Sequence, residues 1–254
     1  MNDFIKAIVD SKDVANVRDT FLQATQQAGF AHAFYAGRFS LSVPRSIMRD
    51  VPVTFNNLPA DLLEQNEGLY GINRDAWVEW VLQNDGDINA AQLIAQVGAD
   101  RTPSLAMAAR NGMQAVQLLS LRNIVTHSVG AIMLVPGRDL DEDHLAQLWE
   151  RHGADMWLLA RTVHMRVATL PRDHGITTLT SRQREVLGWR SAGKTVSEIG
   201  TILGITPATV EKHMRLAREA LGVDTTPQAV LKAHVTDQLF HPAYYPMTMH
   251  LPSG

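Results

Sequence analysis

"ITPATVEKHMRLAREALGV", residues 205–223, decides how the C-terminal part of this chain is read. Thr206 offers a capping hydroxyl, Pro207 suits the first helical position, and Gly222 supplies the stop. At ~100° per residue, Val210, Met214, Ala217 and Leu221 share one face of the helix between them. The opposite face presents Ala208, Glu211, Lys212, Arg215 and Glu219. Ala208 and Thr209 at the front are small, so this end can approach base edges closely, and a free helix N-terminus favours phosphate. The same charges can instead form a solvated surface of i,i+4 pairs. What precedes the helix decides between the two.

Just upstream, Thr195 and Glu198 form a capping box, and the helix it opens places Ile199, Ile202 and Leu203 on one side before Gly204. A very short glycine-containing turn then leads into the quoted helix, which is the pattern of a helix-turn-helix. Further upstream, Thr180 and Gln183 form another box, opening a helix through Val186, Leu187 and Trp189 to Ala192, with Gly193 at its end. Downstream, Thr225 or Thr226 caps a fourth helix, with Pro227 near its start, through Val230, Leu231 and Ala233.

The stretch "LTSRQREVLGWRSAGKTVSEIGTILGITPATVEKHMRLAREALGV", residues 179–223, resembles the LuxR-type DNA-binding domain, and the likeness continues through the fourth helix after it. Leu179-Thr180, Arg184-Glu185-Val186-Leu187, Gly193-Lys194, Glu198-Ile199, Thr209-Val210, His213 and Leu221-Gly222-Val223 carry the likeness. The resemblance implies that Lys194, Thr206, Thr209, Lys212 and Arg215 face DNA, with Thr195 and Ala208 beside them. It makes His213 a packing or phosphate-contact residue and the fourth helix a pairing surface between two such domains. Two departures stand out. Gln183 replaces a usual Glu, and Glu219 and Ala220 stand where basic residues are usual. With fewer phosphate cations, non-specific affinity and its salt dependence should both be low.

The whole chain of 254 residues has a formal charge of −3 and no cysteine. Residues 176–240 carry eight Lys/Arg against six Asp/Glu, so a mildly basic piece sits on an acidic remainder. The absence of thiols excludes disulfides, thiol catalysis and thiolate metal sites. The start, "MNDFIKAIVDSKD", has neither a basic region nor a long apolar core, so no signal peptide is expected. No apolar run approaches the ~20 residues of a membrane span. The expectation is a cytoplasmic protein without a membrane segment.

The N-terminal part reads as a helix over 13–28, strands in "FAHAFYAGRFSL" and "DVPVTFNN", and helices around Ala60–Glu67, Asp75–Gln83 and Asn89–Val97. A further helix begins at "TPSLAMAARNG", where Thr102 can cap, Pro103 suits the first position and Gly112 the end. "MQAVQLLSLRN" and "THSVGAIMLVPG" read as an antiparallel strand pair. A long helix then follows, with Asp139, Asp141, Glu142 and Asp143 at its positive start and Arg161, His164 and Arg166 at its negative end. Helices, strands and helices again predict an α+β fold: an N-terminal α/β/α sandwich with an antiparallel sheet, and a C-terminal all-α four-helix domain. The expected division is 1–168 for ligand sensing and dimerisation, 169–178 as linker, 179–240 for the helix-turn-helix domain, and 241–254 as a flexible tail.

The element order is similar to the acyl-homoserine-lactone sensor domain of the same superfamily. A phosphorylated receiver, the other common partner, needs βα alternation and a cluster of acids, and neither is present. "LYGINRDAWVEW" offers Tyr70 and Asp75, with Ala76 where the sensor motif has proline. Other sensor positions fall on Leu62, Asn66, Ala90, Val116 and Met133, which are not the family's usual types. The candidate ligand residues are Tyr70, Asp75, Trp77 and Trp80. Asp75 either accepts a hydrogen bond from a ligand amide or caps the helix that begins at Ala76. Trp77 and Trp80 are core, dimer contact or pocket wall, and Met107, Met113 and Met133 suit a plastic pocket or an ordinary core.

No metal-ligand spacing occurs among the ten histidines, and no nucleophile or acid–base constellation is present. The expected partners are double-stranded DNA with a near-palindromic operator, a second copy of the chain, and RNA polymerase or another LuxR-type protein. No cofactor is expected beyond a small-molecule inducer, an acyl-homoserine lactone or another ligand. The resemblance thus implies a non-enzymatic, signal-controlled transcriptional regulator; its rival is a ligand-independent protein that pairs with another such regulator and inhibits it.

Overall fold

A computed structural model of the chain describes residues 1–39, 52–62, 75–170, 178–236 and 238–239. They fall into two compact units, divided after Leu170. The first contains α1 (Asn2–Asp10), α2 (Val14–Gln27), β1 (His32–Arg38), β2 (Val53–Asn56), α3 (Ala76–Gln83), β3 (Gly86–Asn89), α4 (Ala90–Val97), α5 (Pro103–Arg110), β4 (Gln117–Ser120), β5 (Val129–Val135) and α6 (Glu142–Thr169). The second contains α7 (Ser181–Ser191), α8 (Val196–Leu203), α9 (Pro207–Leu221) and α10 (Thr226–Val235).

The five strands form one antiparallel sheet in the order β2-β1-β5-β4-β3. Successive side chains of a strand point to opposite faces, and here both faces are covered. Ala33 and Tyr35 of β1 join Phe55, Leu119 and Ile132 in a core completed by Phe21 of α2 and Leu145, Leu159 and Val163 of α6. Phe34 of β1 belongs instead to the other side, with Leu118, Ala131 and Val135, where Trp77 and Val81 of α3, Leu93 of α4 and Leu105 of α5 complete the packing. The expected α/β/α sandwich is present.

α1 and β3 went unforeseen. α1 buries Ile8 and packs Phe4 and Ile5 against the same core, a stripe at helical spacing that the sequence did show. β3 is four residues long, and its last residue, Asn89, also caps α4 through a capping box with Gln92. Thr102, expected as a cap for α5, makes no such bond; its hydroxyl donates to the Ala99 carbonyl at 3.2 Å in the preceding 3-10 turn.

His164 also departs from expectation. It is not a cation at the end of α6 but a buried imidazole beneath the sheet. The Ser128 hydroxyl donates to the Val125 carbonyl at 2.8 Å, which leaves its oxygen to accept from His164 Nε2 at 2.9 Å. His164 Nδ1 then accepts from the Tyr35 hydroxyl at 3.0 Å. Burial disfavours the charged ring and lowers its pKa to about 4. Gly130 makes the space: a Cβ there would lie 2.7 Å from His164 Cε1.

The second unit follows its capping signals closely. Thr180, Thr195, Thr206 and Thr225 cap α7 to α10, three of them in reciprocal boxes. Two small cores hold the bundle, one around Leu187, Ala217, Leu221 and Ala233 and the other around Val186, Ile199, Val210 and Met214. Ile202, expected beside Ile199, is instead exposed. The expected linker lies mostly at 171–177, outside the described residues, and Thr169 still belongs to α6. The expected tail, 241–254, also lies outside them.

Candidate functional site

Two places carry chemistry. The first is the exposed face of the helix-turn-helix. Val210, Met214, Ala217 and Leu221 turn inward on α9, and Ala208, Glu211, Lys212, Arg215 and Glu219 are exposed. The Thr206 hydroxyl lies 2.9 Å from that of Thr209 and accepts from the Thr209 amide at 3.2 Å. α8 ends at Gly204, and the amide of Ile205 returns to the Gly200 carbonyl at 3.0 Å. This close turn needs Gly200, because a Cβ there would meet the Ile205 carbonyl oxygen at 2.9 Å.

The charges on this face are partly tied to one another. Arg215 pairs with Glu219 at 2.6 Å and Lys194 with Glu198 at 3.6 Å. Glu198 also accepts from the amide and hydroxyl of Thr195, both at 2.8 Å, and these donors hold its carboxyl below the usual range. Lys212 makes no ion pair among the described residues. Arg218 turns away, donating to Thr226 at 3.0 Å and fastening α9 to α10. Each of these exposed pairs contributes little to stability; their effect is on the field a phosphate would meet.

The second place is a cavity of about 280 Å³ between the sheet and α3. β1 and β5 supply Phe34, Ala36, Arg38 and Ala131, β2 supplies Thr54, and α3 supplies Trp77 and Val78. The wall is mostly apolar, as small-molecule sites are. Phe34 meets Trp77 edge-on, with ring centroids 6.4 Å apart.

Of the residues expected to hold a ligand, Trp77 lines this cavity, whereas Asp75 and Trp80 are absent from its described lining. Tyr70 lies outside the described residues. Asp75 is 1% exposed and caps α3, accepting from the Trp77 amide at 3.3 Å. Its other oxygen accepts from the Ser104 amide at 2.9 Å and the Ser104 hydroxyl at 2.5 Å. That same hydroxyl accepts from the Trp77 indole at 3.0 Å. Trp80 is half-buried against the α3 side of the core, and Met107 and Met113 are core residues.

Ser104, Arg38 and Thr54 were missed from sequence. Alternation along β1 places Arg38 on the face of Phe34 and Ala36, and that signal was available. Thr54 follows from its pairing with Ala36. Nothing local marks Ser104, which meets Asp75 across 29 positions of chain. Among the described residues no three His, Asp or Glu side chains are grouped to hold a metal ion, and no helix is long and apolar enough to cross a membrane.

Comparison with known proteins agrees with this division. Residues 13–167 match the autoinducer binding domain, and residues 177–233 match the luxR family of bacterial regulatory proteins. The transcriptional activator protein BjaR1 of Bradyrhizobium diazoefficiens is 43% identical over 70 residues, 28% of this chain and 29% of that protein. Matches of this kind therefore span about a third of the relative. The transcriptional repressor ThaA of Burkholderia thailandensis is 25% identical over 240 residues, 91% of this chain and 94% of that protein. The fold is that of Escherichia coli SdiA, at TM-score 0.61 and 18% identity, covering 93% of this chain and 96% of that one.

Proposed function

Since this chain belongs to the autoinducer-binding, LuxR-type family of bacterial transcriptional regulators, which is not a family of enzymes, we propose that it reads DNA as a homodimer under the control of a small signal. The observation that carries this is the threonine-capped start of α9, with Ala208, Lys212 and Arg215 exposed and Thr209 half-buried beside them. Two such helices, one from each copy, enter successive major grooves about 34–36 Å apart and read a near-palindromic operator in the cytoplasm. Lys212 and Arg215 reach base edges or phosphates. Lys194, Thr195 and Thr206 hold the backbone, and the small Ala208 and Thr209 permit close approach.

The signal enters the cavity beside Trp77. Its size and apolar wall suit a small amphiphile, an acyl-homoserine lactone or a different acyl compound. Binding shifts activity only by as much as the ligand favours the DNA-competent arrangement of the dimer.

Selection of duplexes from random-sequence DNA by the full chain tests the first part. Enrichment of a near-palindrome is expected, and Lys212→Ala with Arg215→Ala should abolish it. A selected pool without dyad symmetry, or equal enrichment by the double variant, overturns the reading.

A further inference from the structure

The cavity has an open end and a closed end. Pro52, Thr54 and Leu82 are exposed members of its described lining. Pro52 precedes Val53, which pairs with Gly37, and Leu82 stands in the last turn of α3. The opposite end is Phe34, earlier on β1, and Trp77, in the first turn of α3. Trp77 is 7% exposed, and its ring meets that of Phe34 edge-on. Ala36 and Ala131 of the sheet and Val78 and Val81 of α3 line the length between.

The closed end is held far more firmly than an apolar contact requires. Phe34 lies in a strand bonded on both sides, opposite Asn56 and Met133. The Trp77 amide donates to one Asp75 oxygen, and its indole donates to the Ser104 hydroxyl. That hydroxyl donates in turn to the other Asp75 oxygen, which also accepts from the Ser104 amide at the start of α5. Thr102 makes no cap bond there, so one buried carboxylate serves the first turns of both α3 and α5. An indole has a single donor. Swinging the ring aside would strand that donor in a buried place and leave Ser104 short of a partner, so the rotamer is tied to two helix starts.

We propose that Ser104 is a positioning residue that fixes the Trp77 indole as the end-stop of the cavity, and that this ring sets the longest acyl chain the site accepts. The terminal methyl meets Trp77 and Phe34, and the head group stays at the exposed end. This rests on the reading of the cavity as the signal site. Each buried methylene adds about fourfold in affinity until the chain reaches the indole. The next one has no room, and overpacking costs about tenfold or more.

The test is calorimetric titration of the full-length protein with straight-chain N-acyl-homoserine lactones from butanoyl to dodecanoyl, and with the matching methyl esters. Affinity should climb with length and then break sharply. Ser104→Ala should raise the affinity ratio of the first excluded chain to the last accepted one by about tenfold, and Ser104→Thr, which keeps the hydroxyl, should return the wild-type ratio. A merely structural role would weaken every length alike and leave that ratio unmoved. If Ser104→Ala does not fold, Trp77→Phe carries the comparison and should move the break to a longer chain. Val78→Phe, which fills the space, should remove binding. A climb through dodecanoyl without a break, or a break at the same length and of the same size in Ser104→Ala or Trp77→Phe, overturns the end-stop while the cavity stands as the signal site. Failure of both series to bind, or binding that survives Val78→Phe, overturns both.

Discussion

Arg215 Nη1 donates to Glu219 Oε1 at 2.6 Å across one turn of α9. The cation proposed to meet DNA is thus held by an acid on the same exposed face. Replacing Arg215 with Ala should weaken operator binding by about 1–3 kcal/mol if it reaches a base edge. Glu219→Gln should strengthen low-salt binding to non-specific duplex by about 0.2–1 kcal/mol, the scale of an exposed ion pair. Fluorescence anisotropy over a salt series measures both, and a weaker Glu219→Gln complex contradicts this account.

Gly200 lies beneath the turn of the helix-turn-helix. Alanine is ordinarily the better helix former by up to about 1 kcal/mol. Here its Cβ would meet backbone, the Ile205 carbonyl, at 2.9 Å, and backbone cannot swing aside. Gly200→Ala should therefore destabilise the C-terminal unit, by about 1–3 kcal/mol. Hydrogen exchange of α8 and α9 amides in the full chain reads it: faster exchange is expected, and slower exchange contradicts the clash.

His164 gives the N-terminal unit an acid-sensitive point. Its folded pKa, about 4, lies below the unfolded value of 6.5, so the fold favours the neutral ring. Stability from this group is complete above pH 6.5 and declines as pH falls from there toward 4. The shift corresponds to roughly 3 kcal/mol at the acid limit. Urea denaturation between pH 7 and pH 4.5 should show this loss on top of that from carboxylates, and His164→Gln should lack it. Parallel pH profiles for the two proteins would count against a buried neutral imidazole.

The Asp75–Ser104–Trp77 cluster separates a structural carboxylate from a ligand-binding one. Ser104→Ala removes the hydroxyl that serves both the Asp75 carboxylate and the Trp77 indole. It should lower unfolding free energy by about 1–3 kcal/mol with no ligand present. Asp75→Asn should do the same to a similar extent. If Asp75→Asn leaves ligand-free stability unchanged and alters only ligand affinity, the cap is not its main role.

The helix-turn-helix was legible because its signals are local. Each threonine cap is satisfied within three residues, and the α9 stripe of Val210, Met214, Ala217 and Leu221 repeats at helical period. The sandwich was legible in outline, since β1, β5 and α6 are long enough to show their periods. The cavity was not. Its pieces come from β1, β2, α3 and β5, which only the sheet register brings together. Trp77 was picked out because it is large and near Asp75, and Trp80, one turn on, was picked for the same reason without lining the space. The position of His164 at the end of an amphipathic helix reads equally well as an exposed cation, and only its meeting with Tyr35 across 129 positions makes it neutral.

β1 is a wall with two tenants. Phe34, Ala36 and Arg38 line the cavity, while Ala33 and Tyr35 grip the layer beneath. A deletion or insertion of one residue before Phe34 would exchange the two sets at a stroke, driving a guanidinium into the α6 core and a phenol into the space meant for a guest. Point changes in this strand can be graded, but a frame slip cannot, so length between α2 and β1 should be the least negotiable property of the N-terminal half.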